Sequence, residues 1–499
     1  MDNGFLSLIP ALVTIVVALF THRVALALFL GVLGGAFVAA GYQLTGFAAD
    51  SWGYLFQAFT DWERLKIVLF VLLIGGMLEV IAGSGAYTRF AEKLGSRLNT
   101  PRKSRVTTWG LSMCLFFDDY ANVLISGASM RKINMKNGVT PAMLAYIVDV
   151  VAIMASIMIV STWASFEGSV MAQAGASVGI DKNITTFFLE ALPYHLYTFL
   201  AIIMAFAVAY TGKWFGSRAD NAVYQLNEKS DVHNHTSKTY HLLAPIITLI
   251  GFAIVALVAS GIFLLHQQQK PVTLINIIGI APSVDILVLS TLLALAVTFM
   301  LLRKDRVISS RHIGLSFFRG IRNITDVGLV IILAGGLAAV SMDLGTGEYI
   351  AHAASSIIQP AVIPLLIFVV SMLITVATGF SWSSMAIVMP IGFQMAVSAH
   401  LPDMIPVISA AVISGAVSGE HIIPFSEKAV MSAAACKITP VYHIKTQILQ
   451  TLSVFIAACI GYLIIGLFHS ILLALLIPLT LLIIAHFLFA RKNSRATIE

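Results

Sequence analysis

The chain has 499 residues, 58% of them apolar and 11% charged, with a net charge of +6 and a mean hydropathy of +0.91. Soluble domains are about 25% charged, so a water-facing surface cannot be assembled from this supply. The reading is an integral membrane protein, and soluble enzymes, nucleic-acid binders and disordered scaffolds are excluded. The Lys and Arg residues behind the net charge sit in short loops between apolar runs, so they carry no nucleic-acid signal. Cys114, Cys436 and Cys459 lie in or beside apolar segments without CxxC spacing. They read as inert buried thiols, not as a disulfide or metal framework.

A helical span needs roughly 20 apolar residues. Phe5–Phe20 reads as a first span, joined to a second by Thr21-His22-Arg23. It lacks a basic leader and an A-x-A site, so no cleaved signal peptide is expected. Val24–Ala49, Ala191–Gly212 and Thr239–Gln269 are each long enough for one pass. Tyr349–Pro402 and Thr446–Ala490 must each hold two hydrophobic elements, the latter divided at Phe468-His469-Ser470.

The basic loops are 89–105, 131–136, 213–238, 303–322 and the tail from Arg491, whereas 164–192 and 267–283 hold one Lys or Arg each. Placing the basic loops in the cytoplasm forces segment 106–130 to start and end on one side. Asp118-Asp119 interrupts that segment, and its arms, Val106–Phe117 and Tyr120–Met130, are each too short to cross. A re-entrant hairpin satisfies these facts, and such broken backbone is tolerated only where it lines protein or a watery cavity.

The halves echo each other at an offset of about 260 residues. Leu73–Leu78 resembles Leu333–Ala338, and Ser165–Met171 resembles Phe425–Met431. The break at Asp118 corresponds to one at Thr378-Gly379-Phe380-Ser381-Trp382-Ser383-Ser384. The loop assignment makes the repeats inverted, the arrangement that builds alternating-access carriers. The expected fold is an all-α polytopic membrane protein of about 11 transmembrane helices plus two re-entrant hairpins, with the N-terminus outside and the C-terminus cytoplasmic. Residues 361–399 are either the second hairpin or two full passes. The expected units are N-terminal helices 1–65, a first transport repeat 66–214, a linking region 215–325, a second repeat 326–468 and a final helix with tail 469–499.

Ionisable residues at membrane depth are costly and default to function. Asp118, Asp119 and Asn122 lie at the first hairpin tip, Asp149 lies inside the run Pro141–Phe166, and Glu420-His421 closes Met404–His421. Oxygen ligands suit a hard cation, and a carboxylate lets protons compete with it. Na+ is assigned to Asp118, Asp119 and Asn122, with Asp149 and Glu420 completing cation and proton binding. Thr378, Ser381, Ser383 and Ser384 offer neutral ligands from the other repeat, where half-helix ends direct partial charge at a substrate. For Asp149 a structural partnership with a neighbouring Arg or His stays open. Glu79, Glu167 and Glu427 read as near-surface charges, His233, His235 and His241 as a solvated loop, and the Gly pairs 75–76 and 335–336 as close helix packing.

At these residues the chain resembles the NhaC-type family of sodium/proton antiporters. The likeness is carried by Phe117-Asp118-Asp119-Tyr120-Ala121-Asn122, Met130-Arg131, Leu144–Asp149, Gly379-Phe380-Ser381-Trp382 and Ser414–Val417. It continues through Gly419-Glu420-His421-Ile422-Ile423-Pro424-Phe425-Ser426-Glu427 and His443–Gln447, and spans about residues 60–470. Where the family usually shows Gly-Asp-His-x-Ser-Pro-x-Ser-Asp, Glu420 and Glu427 replace both Asp, Ile423 replaces a Ser, and Lys428 follows directly. The resemblance implies a Na+/H+ antiporter of the bacterial inner membrane. The alternative is a Na+- or H+-coupled carrier of a small organic acid or amino acid, bound by Trp382, Ser381–Ser384, His421, Ser426 and Glu427. No P-loop, GxGxxG or HExxH occurs, so no cofactor and no enzyme activity are expected. The expected partners are inorganic cations, the lipid bilayer and, in the alternative, an organic solute, with no nucleic acid; a homodimer stays open. An intramembrane aspartyl protease is disfavoured, because its YD and GxGD contexts are missing.

Overall fold

The computed structural model describes residues 4–21, 23–95, 98–116, 119–215, 237–273, 277, 280–346, 349, 359–424 and 426–492. Asp118, His233 and His235 lie outside the described residues. In chain order the helices are α1 (Ile9–Thr21), α2 (Val24–Ala39), α3 (Leu44–Thr60), α4 (Trp62–Gly83), α5 (Ala86–Gly95), α6 (Pro101–Cys114) and α7 (Asp119–Lys136). Then follow α8 (Pro141–Ala152), α9 (Thr162–Ser177), α10 (Ile184–Ala191), α11 (Leu196–Thr211), α12 (Tyr240–Gln267), α13 (Ser283–Lys304) and α14 (Ser310–Asp343). The last are α15 (Ile363–Thr378), α16 (Ser381–Ser398), α17 (Ile405–Glu420), α18 (Glu427–Cys436), α19 (Pro440–Phe468) and α20 (Ile471–Phe489). One two-residue ladder pairs Lys213-Trp214 with Arg491-Lys492.

The protein is an all-α polytopic membrane protein. Among the described residues seven helices are long and apolar enough to cross a bilayer, or nine counting two bent pairs. Shorter apolar helices run through Gly4–Thr14, Ala25–Ala39 and Pro360–Val376. The division at Phe468-His469-Ser470 is where expected, with His469 in the left-handed region at φ 51°. The stretch Val24–Ala49 is not one helix: Gly41 and Tyr42 take φ 60° and 66° and turn the chain between α2 and α3. The sequence reading also missed the bends, of 50° between α8 and α9 and 56° between α10 and α11. Apolar composition runs through the first break and gives no warning of it, whereas at the second Pro193 was the available signal.

The first hairpin forms, with longer arms than read: α6 ends at Cys114, α7 begins at Asp119, and the two pack on each other. Asn122 Nδ2 donates to Ser112 O at 2.7 Å near the tip. Asn134 Nδ2 reaches Thr108 Oγ1 at 2.8 Å, and Asn137 Nδ2 reaches Leu98 O at 3.4 Å. Pairs 112–122, 108–134 and 98–137 are those of an antiparallel hairpin whose ends return together. α15 and α16 fold back likewise across Gly379 (φ 82°), with Ser371 and Ser384 hydroxyls 3.0 Å apart.

The equivalent helices of the repeats, α4 and α14, run antiparallel. A Cβ at Gly335 would strike the Arg64 guanidinium, one at Gly328 would meet Val68, and one at Gly320 would meet Gly75 and Glu79. Contact order thus rises along α4 as it falls along α14, which is the inverted relation. Gly75, Gly76 and Gly336 serve close packing as expected, whereas Gly335 makes room for Arg64.

Local capping also aligns the repeats. Ser161 caps α9 and donates to Ala155 O at 2.7 Å. Ser426 caps α18 and donates to Glu420 O at 2.8 Å. Each such cap contributes about 1 kcal/mol. Both pairs register 155 with 420 and 161 with 426, so the sequence match of Ser165–Met171 with Phe425–Met431 was five residues out.

Three smaller readings are corrected. Glu167 is fully buried, not near the surface, because α9 is covered by α10, α14 and α16. Cys114 is exposed, Cys459 half-buried and Cys436 buried; Cys114 ends α6 just before the hairpin break. His241 is buried and bonded to Asp305 at 2.9 Å, in a cluster where Tyr240 also donates to Asp305. That hydrogen bond holds the Asp305 carboxyl below the usual carboxylate range. Glu79 pairs with Arg319 at 3.7 Å, as suits an interfacial charge.

The return of the first hairpin gives a topology test. Single cysteines at the exposed positions Lys103 and Lys136 should both react with an impermeant maleimide from the cytoplasmic side only. Labelling from opposite faces would mean that α6 and α7 together cross.

Candidate functional site

The breaks of both repeats converge. α18 packs on α7, α8 and α19, and α16 packs on α9 and α17. Two charged clusters occupy this crossing, and α18 contributes to both.

The first cluster surrounds Asp149, which is fully buried on α8. Ser432 Oγ donates to its Oδ1 at 3.0 Å. Gln447 Nε2 donates to Oδ2 at 2.9 Å, and His443 Nε2 lies 3.2 Å from the same oxygen. The Gln447 amide also holds the His421 carbonyl at 3.0 Å, and the Tyr197 hydroxyl lies 2.8 Å from His421 Nδ1. The structural partnership left open for Asp149 is thus present, with His443.

The second cluster surrounds Glu420, the last residue of α17. The Ser381 backbone N–H donates to Oε1 at 2.8 Å, and Lys428 Nζ stands 3.1 Å from Oε2. Ser381 opens α16, so a carboxylate sits at a helix N-terminus, where the macrodipole favours negative charge. Lys428 also lies 5.2 Å from the centre of the Trp163 ring. Trp382 packs against Phe166 and Trp163, with centroids 4.2 and 5.7 Å away.

The remaining residues singled out in the sequence divide by role. Asp119 is 2% exposed at the start of α7. Asn122 is committed to the hairpin, donating to Ser112 O and accepting from Ser126 at 3.2 Å. Ser383 and Thr378 bond each other at 3.1 Å, and Ser383 donates to Phe380 O at 2.6 Å, so both close the second break. Ser384 donates to Ser371 O at 2.7 Å. Ser381 Oγ is buried without a hydrogen-bond partner and is available to a ligand. Ser426 is the α18 cap, and Glu427 begins that helix. Among the described residues no three His, Cys, Asp or Glu side chains group closely enough to hold a metal ion. A transported cation here would therefore be held by one or two carboxylates together with hydroxyls and backbone carbonyls.

The sequence profile of the Na+/H+ antiporter family matches residues 154–467, which takes in most of both clusters. The chain belongs to the Na+/H+ antiporter family. An uncharacterised protein of Haemophilus influenzae is 27% identical over 478 residues, 93% of this chain and 91% of its own length. The malate-2H+/Na+-lactate antiporter of Bacillus subtilis is 22% identical over 152 residues, 30% of this chain and 32% of its own. Two solved structures share the fold. MtrF of Neisseria gonorrhoeae, described with a class of antimetabolite efflux pumps, has a TM-score of 0.62 at 16% identity, covering 89% of this chain and 94% of MtrF. The YdaH transporter of Alcanivorax borkumensis has a TM-score of 0.58 at 17% identity, covering 86% and 89%.

Within this family member, four partners were not singled out as site residues in the sequence: Lys428, Ser432, His443 and Gln447. Helical spacing could have offered them. Lys428 and Ser432 are four apart, as are His443 and Gln447, so each pair faces one way. Polar pairs at that spacing in apolar helices were the available signal.

The Gln447 amide holds two acceptors, and no apolar residue can replace it. Gln447→Leu leaves Asp149 and the His421 carbonyl each short of a donor, at about 1–3 kcal/mol per buried group. The purified variant should melt several degrees below the parent. An unchanged melting temperature would remove Gln447 from the clasp.

Proposed function

We propose that the chain is a Na+/H+ antiporter in which cations and protons occupy the α7–α8–α18 crossing alternately. That it is a secondary transporter follows from its family and fold; the ion pair and the residues are our reading. The observation that carries it is the wholly buried Asp149 carboxylate, held by Ser432, Gln447 and His443 where α8, α18 and α19 meet. A carboxylate at membrane depth costs several kcal/mol when its charge is uncompensated. A proton or a small cation supplies that compensation in turn. One set of oxygens with two alternative occupants exchanges them when the site faces the two sides in turn. In this reading Asp149 and Asp119 are the exchanging carboxylates, with Asp118 beside Asp119 in sequence. Ser381, Thr378 and Ser383 lend neutral oxygens.

The protein is integral to the membrane. We assign it to a bacterial inner membrane with the C-terminus cytoplasmic, on the bias of its basic loops. A second reading has one favouring observation: Lys428 over Trp163, against which Trp382 packs, suits a small organic acid, and the Bacillus subtilis relative is named for malate and lactate. Ser381, Trp382 and His421 would then contact that solute.

Purified protein in liposomes bearing a pH gradient tests both. Na+ alone should collapse the gradient, more weakly as pH falls, because protons and Na+ compete for the same oxygens. Asp149→Asn should lower exchange at least a hundredfold while the protein still inserts. Collapse seen only with an added organic acid would select the second reading, and undiminished exchange in Asp149→Asn would remove the proposed centre.

A further inference from the structure

Lys428 is the second residue of α18 and is 1% exposed. Its ammonium has a carboxylate oxygen at 3.1 Å and an indole face at 5.2 Å. These are the surroundings of a bound cation, held by oxygen and π density inside the protein. The other Glu420 oxygen is already taken by the α16 N-terminus. Each Glu420 oxygen therefore faces a partner from the chain itself, whereas Asp149 is bonded by Ser432, Gln447 and His443 and, among the described residues, forms no ion pair with a Lys or Arg.

Repeat register sharpens the point. With Ser161 matched to Ser426, Trp163 matches Lys428. Equivalent positions of the two repeats thus meet face to face at the crossing, and only one of them carries charge. α18 delivers Lys428 on the same face as Ser432, four residues on.

We infer that Lys428 is a tethered cation, filling at Glu420 the place that a transported Na+ would otherwise take. The chain then has one inorganic-cation position fewer than its buried carboxylates alone would create. This inference rests on reading the crossing as a cation site, and it concerns Glu420 and not Asp149.

Lys428→Met keeps the length of the stem and removes the charge. Glu420 then stays in place, held by Ser381 N–H, with a cation position open beside it. Equilibrium binding of radioactive Na+ to the purified full chain should rise by one ion per chain at saturation. Thermal stabilisation by NaCl over choline chloride should be larger than in the parent. The double variant Glu420→Gln/Lys428→Met removes both charges and should return to the parent's count. If Lys428→Met folds only in NaCl, Na+ is replacing the ammonium and the inference stands. A folded Lys428→Met with the parent's count overturns it. So does a single variant that no NaCl concentration rescues, whether or not the double variant folds, because Glu420 then cannot take Na+. The two readings fail separately. A parent that binds no Na+, with a variant that binds one, sinks Na+ exchange and keeps the tethered cation.

Discussion

Backbone groups freed at membrane depth must find their partners within the protein, and this constraint shapes the crossing. Breaking a helix there frees backbone groups whose burial unpaired costs several kcal/mol each. Each break is accordingly closed by a side chain from close by. Asn122 takes Ser112 O across the first hairpin. Ser161 takes Ala155 O and Met158 O between α8 and α9. Ser383 takes Phe380 O at the second hairpin, and Ser426 takes Glu420 O between α17 and α18. Charges then go where the breaks have left directed dipoles. Glu420 reaches the α16 N-terminus because that N–H has no partner within its own helix.

The repeats share their caps but not their charges. Under the register set by Ser161 and Ser426, Asp149 falls opposite Ser414, Ser432 opposite Glu167, and Lys428 opposite Trp163. A fully symmetric pair would hold two equal sites across the axis. The substitution of hydroxyl for carboxylate and of indole for ammonium leaves one charged crossing instead. Glu167 shows the cost of placing an acid without such partners. It is wholly buried, and neither oxygen has a hydrogen bond among the described residues.

Much of this was legible in the sequence. Asp118-Asp119 between arms too short to cross announced the first hairpin, and Gly379-Phe380 announced the second. Lys and Arg bias gave the inverted relation that α4 and α14 display by their antiparallel packing. Asp149 and Glu420 were found because acids are rare at that depth. The bends at 153–161 and 192–195 were hidden from hydropathy, which reports what surrounds a segment and not whether its helix is continuous. Asn122 was half-read for a related reason. An amide near a hairpin tip reads equally as ligand or as clasp, and its 2.7 Å contact with Ser112 O adds the clasp. Lys428 was noted as a departure from the family pattern but given no role, since nothing local shows that Glu420, eight residues earlier, folds back to meet it.

That folding back explains why α18 is the element on which both clusters depend. It is ten residues long, too short to be fixed by its own hydrogen bonds, so its position is set by what it touches. Lys428 joins it to Glu420 and thereby to the α16 N-terminus. Ser432, one turn on, joins it to Asp149 and thereby to His443 and Gln447 of α19. Ala435 O joins it to Arg131 of α7 at 3.1 Å. All three of these polar contacts thus lead to charged groups, and each leads to a different element. A change in the charge of either Asp149 or Glu420 is felt at one face of one short helix. In the proposed exchange the two clusters therefore share α18 by direct contact and not through a chain of intermediates.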